Sequence, residues 1–370
     1  MVKRRQRWRV AMLAASLAAG LAGCATVAAR SAGPEMLYVA GGNELRAVSV
    51  EDLVTRGQWR LPGPVVGGWA EAGELQLIAG GAHPAWLEVT AGHPQPRHLL
   101  DLDLAPVGVA ATGGDAFVLG NRGAQARLLA IRGTVGSSPQ SRELPGTAAA
   151  LALGRNGPQE LLLAAVDRPA ALELVDTRNL RTVGQVALAS APRQVVGLPY
   201  GHKAFVLCAS TVAVVDTATP GLLTYLRLGH NPQFMLLKPD GGELYISNAD
   251  GTVSVVDTTS NEVSDTMAAG LGAGAMAVDA GGTFLYVANT AAGTVSVISL
   301  ADRRTLAVIH VGQQPSRLVL DPSGLLLFAA DQGSDDVAVM RSSLDPASPN
   351  SLLALLPGSG AADFLAVLPR

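Results

Sequence analysis

The sequence predicts an all-β fold: a β-propeller of four-stranded blades, eight in number with seven as the alternative, closed by a C-terminal strand pairing in the first blade. Three observations predict it. A strand-like phrase recurs about every 41 residues, too short for a domain and right for one supersecondary unit. Each copy divides into four short apolar runs separated by turn residues, the make-up of a blade. The tail of the chain repeats the phrase that the first copy lacks.

The N-terminal segment comes first and stands apart from the repeats. Lys3, Arg4, Arg5, Arg7 and Arg9 form a basic start, residues 10–20 are uncharged and apolar, and Leu21-Ala22-Gly23-Cys24 follows. That order is the layout of a secretory signal. Its last four residues resemble the bacterial lipobox, which implies cleavage after Gly23 and diacylation of Cys24. The apolar run falls short of the ~18–20 residues that span a bilayer, whereas two acyl chains give stable anchoring. Arg4-Arg5 reads as an ordinary basic start rather than a twin-arginine signal. The expected organisation is a signal at 1–23, the lipidated Cys24 with a short tether over 24–34, and the propeller over 35–370.

The repeats follow in order. Leu244-Tyr245-Ile246-Ser247-Asn248 with Gly251-Thr252-Val253-Ser254-Val255 recurs as Leu285-Tyr286-Val287-Ala288-Asn289 with Gly293-Thr294-Val295-Ser296-Val297, and in degraded form as Leu327-Phe328-Ala329-Ala330-Asp331 with Asp336-Val337-Ala338-Val339. With the residue equivalent to Val287 as marker, the copies fall at Val39, Ile78, Leu119, Leu163, Leu207, Ile246, Val287 and Ala329, in steps of 39, 41, 44, 44, 39, 41 and 42 residues. A blade packs against a neighbour on each face, so its strands should be continuous apolar runs rather than clean alternation. That requirement also accounts for 48% hydrophobic residues without a membrane span. Inner strands crowd at the axis, and 107–111, 148–152 and 275–278 are accordingly small. The first copy has no inner strand ahead of it, while residues 363–369 match the inner-strand phrase 316–322; pairing of tail with head would remove exposed sheet edges.

These phrases, with Val311-Gly312-Gln313-Gln314-Pro315 at the next turn, resemble the YVTN-type β-propeller repeat family over residues 228–340. The resemblance implies a secreted or surface bacterial or archaeal protein and no particular catalyst. No Trp-Asp pair is present, and Trp59, Trp69 and Trp86 do not recur at the period, unlike WD40 and quinoprotein propellers.

Composition excludes several functions. Removal of residues 1–23 takes the formal net charge from −3 to −8 and leaves Lys203 and Lys238 as the only lysines, so no nucleic-acid partner is expected. With Cys24 acylated, Cys208 is the sole thiol and no intrachain disulfide forms; inside an apolar run it reads as a buried small residue. Catalytic and cofactor signatures are absent: there is no GxSxG, P-loop, HExxH or CxxC. Gly270-Leu271-Gly272-Ala273-Gly274 leads into a strand and reads as a turn, not a dinucleotide fingerprint. No cofactor and no metal are expected. His83 and His93 flank a strand that sets them roughly 17 Å apart, too far for one zinc ion also to use His98. Asp331, Asp335 and Asp336 make an acidic turn with oxygen ligands of the calcium type, but Asn248 and Asn289 occupy the equivalent slot, where a side-chain oxygen serves turn amides.

The remaining candidate is the channel mouth, built from the loops entering each inner strand and those after each second strand. The first set supplies Arg193, His230, Gln233, Gln314 and Arg317; the second supplies His83, Arg122, Arg168 and Asp331. Polar residues from several blades converge there as ligand sites require, although water-facing loops are polar in any case. The expectation is a monomeric, non-enzymatic scaffold, held to the membrane by its acylated N-terminus and binding an envelope protein or polymer. A lactonase-like hydrolase using the mouth and a structural surface-coat component are the alternatives. Ala25, in place of an Asp after the Cys, favours the periplasmic face of the outer membrane or the cell surface.

Overall fold

The computed structural model describes residues 35–368 apart from 72, 91–92, 134–138, 227, 229–230, 343–349 and 359. The signal, Cys24, the tether and His230 therefore lie outside the described residues. Within them the chain forms eight antiparallel four-stranded sheets. These are the eight blades of a closed ring, which settles the choice between eight and seven.

Seven blades use four consecutive strands. Their inner strands are Val65–Glu71 (blade 2), Ala105–Thr112 (blade 3), Thr147–Asn156 (blade 4), Pro192–Gly197 (blade 5), Pro232–Leu237 (blade 6), Ala273–Val278 (blade 7) and Pro315–Leu320 (blade 8). Blade 1 takes its inner strand, Phe364–Leu368, from the end of the chain and its other three, Met36–Gly41, Glu44–Ser49 and Thr55–Arg60, from the beginning. Met36 pairs with Leu368 and Ala40 with Phe364, and the Asp363 N–H donates to the Ala40 carbonyl at 2.9 Å. The tail closes the ring as its sequence implies.

The core is not one mass but eight wedges, each shared by two neighbouring blades. Strand Phe284–Asn289 shows why the sequence lacks alternation. Leu285 and Val287 pack toward blade 6, while Tyr286 and Ala288 pack toward blade 8. Both faces of a strand are thus dry, and each buried Leu or Val contributes ~1.5–3 kcal/mol relative to exposure.

Register refines the repeat. When blades are aligned on the irregularity in each inner strand, the equivalents of Val287 are Leu77, Val118, Ala164 and Val206. Each lies one residue from the marker that the sequence suggests in those blades. Where every position is apolar and buried, no side chain distinguishes one position from the next.

Strands run antiparallel, so the linkers entering inner strands and the turns after second strands lie at one end of the ring, here called distal. The first-to-second and third-to-fourth turns lie at the other, proximal end. Met36, paired with the last residue of the closing strand, places the start of the described chain at the proximal end.

Candidate functional site at the channel mouth

The inner strands share a device near their distal ends. In blades 2 to 8 the pairing with the second strand skips a residue or two: Val66, Val107, Ala149, Arg193, Gln233, Gly274 with Ala275, and Ser316. A bulge leaves its extra residue unpaired and re-aims that side chain. The skipped residues are half-buried, except for Arg193, which is exposed. They form a tier around the mouth: apolar or small in blades 2 to 4, polar in blades 5, 6 and 8.

Arg193 and Gln233 belong to this tier, and Arg317 sits one residue deeper. The Arg193 guanidinium donates through Nη2 to the carbonyls of Cys208 (3.4 Å), Ala209 (3.3 Å) and Pro232 (2.6 Å). It thereby staples blade 5 to the inner strand of blade 6. Arg317 donates through Nε to the Asp363 carbonyl at 3.0 Å, stapling blade 8 to blade 1, and through Nη1 to the Ser316 carbonyl at 2.9 Å. Burial lowers the Arg317 guanidinium below its ordinary value and raises the Asp363 carboxyl, each opposed by the charge of the other. Gln233 Nε2 donates to the Asn231 carbonyl at 3.0 Å.

The other mouth residues are spread around the distal end. His83, Arg122, Arg168 and Gln314 are exposed; Arg122 reaches Asp103 at 3.5 Å and Arg168 reaches Asp167 at 3.4 Å. Among the described residues no three His, Cys, Asp or Glu side chains gather as a metal site would require. His98 instead meets Asp101 at 2.9 Å.

Asp331 departs from expectation. It is fully buried and does not line the mouth. Its Oδ2 accepts the N–H of Gly312, in the linker entering the same blade, at 3.0 Å. Asp336 stands opposite it in the strand ladder, and the Oδ1 of each carboxyl meets no ordinary donor. Two carboxylates in such contact are reconciled by a proton held between them. Burial, with the hydrogen bond and charge of Asp336, pushes the Asp331 carboxyl up to about 7 against the pull of the Gly312 N–H. Neighbouring Asp335 is structural as well: its Oδ1 accepts the N–H groups of Gly360 (3.0 Å) and Ala361 (2.8 Å) in the linker to the closing strand.

The equivalent slot holds Cys208, Asn248 and Asn289 in blades 5, 6 and 7. Asn289 Nδ2 donates to Thr294 Oγ1 (2.9 Å) and Ser296 Oγ (2.8 Å), and Asn248 treats Thr252 and Ser254 in the same way. The carboxamide therefore works as a donor to hydroxyls, not as the amide acceptor that the sequence suggests. Cys208 is buried, and burial pushes its thiol up, so it is an inert core residue.

The sequence reading misses the residues that join blades. Gln194 is buried; its Nε2 donates to the Met235 carbonyl (2.9 Å), and its Oε1 accepts the Met235 N–H (2.8 Å). Ser247 donates to the Gly274 carbonyl (2.7 Å) and Thr290 to that of Pro315 (3.0 Å), while Asn121 Oδ1 accepts the N–H of Ala148 (2.8 Å). An inner strand has no fifth strand to pair with, and these side chains satisfy its free edge. Their only trace in the sequence is a polar residue near the start of the first strand or the end of the second.

Known proteins resemble this chain in fold. The model of the "Lactonase, 7-bladed beta-propeller" family matches residues 244–348, under a third of the chain, and its blade number differs from the eight seen here. No curated protein sequence matches. Among solved structures, apo AztD from Citrobacter koseri superposes with a TM-score of 0.65 at 11% identity, covering 90% of this chain and 97% of that one. Dihydro-heme d1 dehydrogenase NirN in complex with DHE gives 0.70 at 12% identity, covering 98% and 82%. Hydrazine synthase of Kuenenia stuttgartiensis gives 0.52 at 16% identity, covering 82% and 90%. At such identities the likeness is one of architecture, and the chain takes its place among β-propellers with a lactonase-like stretch in blades 6 to 8.

Proposed function

We propose that this protein is a lipid-anchored propeller of the cell envelope, of the YVTN-type kind, whose distal mouth is a non-enzymatic binding platform for an envelope protein or polymer. One observation carries the reading. The two cations that the inner strands bring to the mouth, Arg193 and Arg317, donate to backbone carbonyls of adjoining blades. Arg193 meets backbone carbonyls, and the charge beside Arg317 is that of the half-buried Asp363 carboxyl, its counter-ion at the seam of blades 8 and 1; a platform needs rigidity rather than a reactive pair. The lipobox-like Leu21-Ala22-Gly23-Cys24 supports the anchor, and Ala25 after it supports an outer-membrane or surface address.

The test is crosslinking followed by pull-down from detergent-solubilised envelopes. A stoichiometric partner whose capture weakens on Arg193→Ala is the expected result. Recovery of no partner under crosslinking would discard the platform.

The family match over residues 244–348 favours a second reading, a hydrolase acting on lactones at the same mouth. A dehydrogenase and a synthase among the similar structures show only that enzymes use rings of this shape. Turnover on a lactone panel, abolished by Arg193→Ala or Arg317→Ala with folding intact, would establish the hydrolase and displace the first reading.

A further inference from the structure

The proximal end of the ring carries an excess of exposed apolar side chains that neither packing nor the mouth explains. Among the described residues twelve large hydrophobic side chains are exposed, and nine lie in proximal turns or within the first three residues of the outer strands that start there. Tyr200 (71% exposed), Leu325 (64%) and Val54 stand on proximal turns, with Leu222, Leu306 and Leu353 just beyond. Of these twelve, Leu271 alone stands on a distal turn. Scattered surface leucines need no explanation, but segregation to one end does.

Several cations of the proximal end are already matched, whereas Arg181 there is exposed. Lys203 Nζ donates to the carbonyls of Thr258 and Thr259 and to Asn261 Oδ1, Lys238 meets Asp240, Arg303 meets Glu243, and Arg178 meets Asp176. What this end offers a partner is apolar surface among turns in which acids such as Asp216, Asp257, Glu262 and Asp279 outnumber the cations. The chain also enters here: Glu35 precedes Met36 at the proximal end. Cys24 stands eleven residues before Glu35 in the sequence.

We infer that the proximal end rests on the lipid bilayer, with Val54, Tyr200 and Leu325 dipping into the headgroup region, so that the mouth faces away from the membrane. This rests on the lipid-anchor reading and adds the orientation of the disc to it. Apolar turn tips enter the interfacial zone without spanning it, and the acidic balance of the proximal turns fits a zwitterionic rather than an anionic lipid surface.

The test separates the orientation from natural acylation. The chain beginning at Cys24 is coupled through that thiol to a maleimide-headgroup lipid in phosphatidylcholine vesicles; Cys208 is buried and does not compete. Hydrogen exchange is compared with the same chain coupled to a soluble maleimide. Several-fold slower exchange is expected in the turns 50–54, 198–202 and 321–325, with 269–272 and 332–335 unchanged. The exposed-site variant Val54→Asp with Leu325→Asp should lose the protection at 50–54 and 321–325 while keeping the circular dichroism of the parent. Equal exchange at the two ends, or protection of the distal turns, would overturn the orientation. Incorporation of labelled palmitate in cells, compared with Cys24→Ser, tests the anchor independently.

Discussion

Asn289 and Asp331 fill the same slot in adjacent blades with opposite proton chemistry. Asn289 satisfies two hydroxyls with a neutral carboxamide. In blade 8 those hydroxyl positions are Asp336 and Ala338, so Asp331 meets a second acid and keeps a proton. Because its folded pKa lies above the unfolded value, the native state binds more protons between about pH 4 and pH 7. Stability from this group is thus present at the acid end of that window and declines as pH rises through 7. Replacing Asp331→Asn together with Asp336→Thr recreates the neutral box of blades 6 and 7. The urea midpoint of the parent should fall from pH 5 to pH 8 more steeply than that of the double variant, and the variant should be the more stable at pH 8. Equal slopes would show that the two acids do not share a proton. Gly312 is part of the same construction: a Cβ there would stand 2.6 Å from Asp336 Oδ1 and 2.7 Å from Asp331 Cβ, and Gly270 meets Asn289 in the same way.

At the scale of the element, the inner strand is where sequence and structure diverge most. Strand positions are legible because apolar runs between turn residues leave little choice, and the phrase Leu327-Phe328-Ala329-Ala330-Asp331 lies within the observed strand Leu326–Asp331. The bulges are not legible. They leave no fixed residue type, since the skipped positions run from Ala149 to Arg193, and the inner strand of blade 1 pairs without one. The polar residues nearby read as a ligand site from sequence alone, and the structure adds that Arg193 and Arg317 also bond across blade seams. Gln194 is the sharpest case: replacing it with Leu leaves the Met235 N–H and carbonyl buried without partners, at ~1–3 kcal/mol for each group. Urea denaturation should place Gln194→Leu about 2–4 kcal/mol below the parent. Arg193→Ala, an exposed change, should cost less, and the reverse order would assign the principal staple to Arg193.

Across the whole molecule, stability depends on a circle of eight wedges that has no beginning once closed. Two of the wedges contain residues of the closing strand, Leu365 in one and Leu368 in the other. A chain ending at residue 363 loses both contacts and leaves the strand Met36–Gly41 with an open edge, a template for pairing between molecules. Size-exclusion chromatography with light scattering should find that truncation oligomeric or aggregated while the full chain is monomeric. A monodisperse, cooperatively folding truncation would mean that the other seven blades suffice.

The pairing of Met36 with Leu368 also sets a timetable. The earliest strand to be synthesised waits for the latest, and at ~5–20 residues per second that interval is roughly 20–70 s. Until then the newborn polypeptide carries a sticky, half-built module ahead of the rest. A message cut short anywhere upstream yields a product that never seals, so the arrangement proofreads its own completeness.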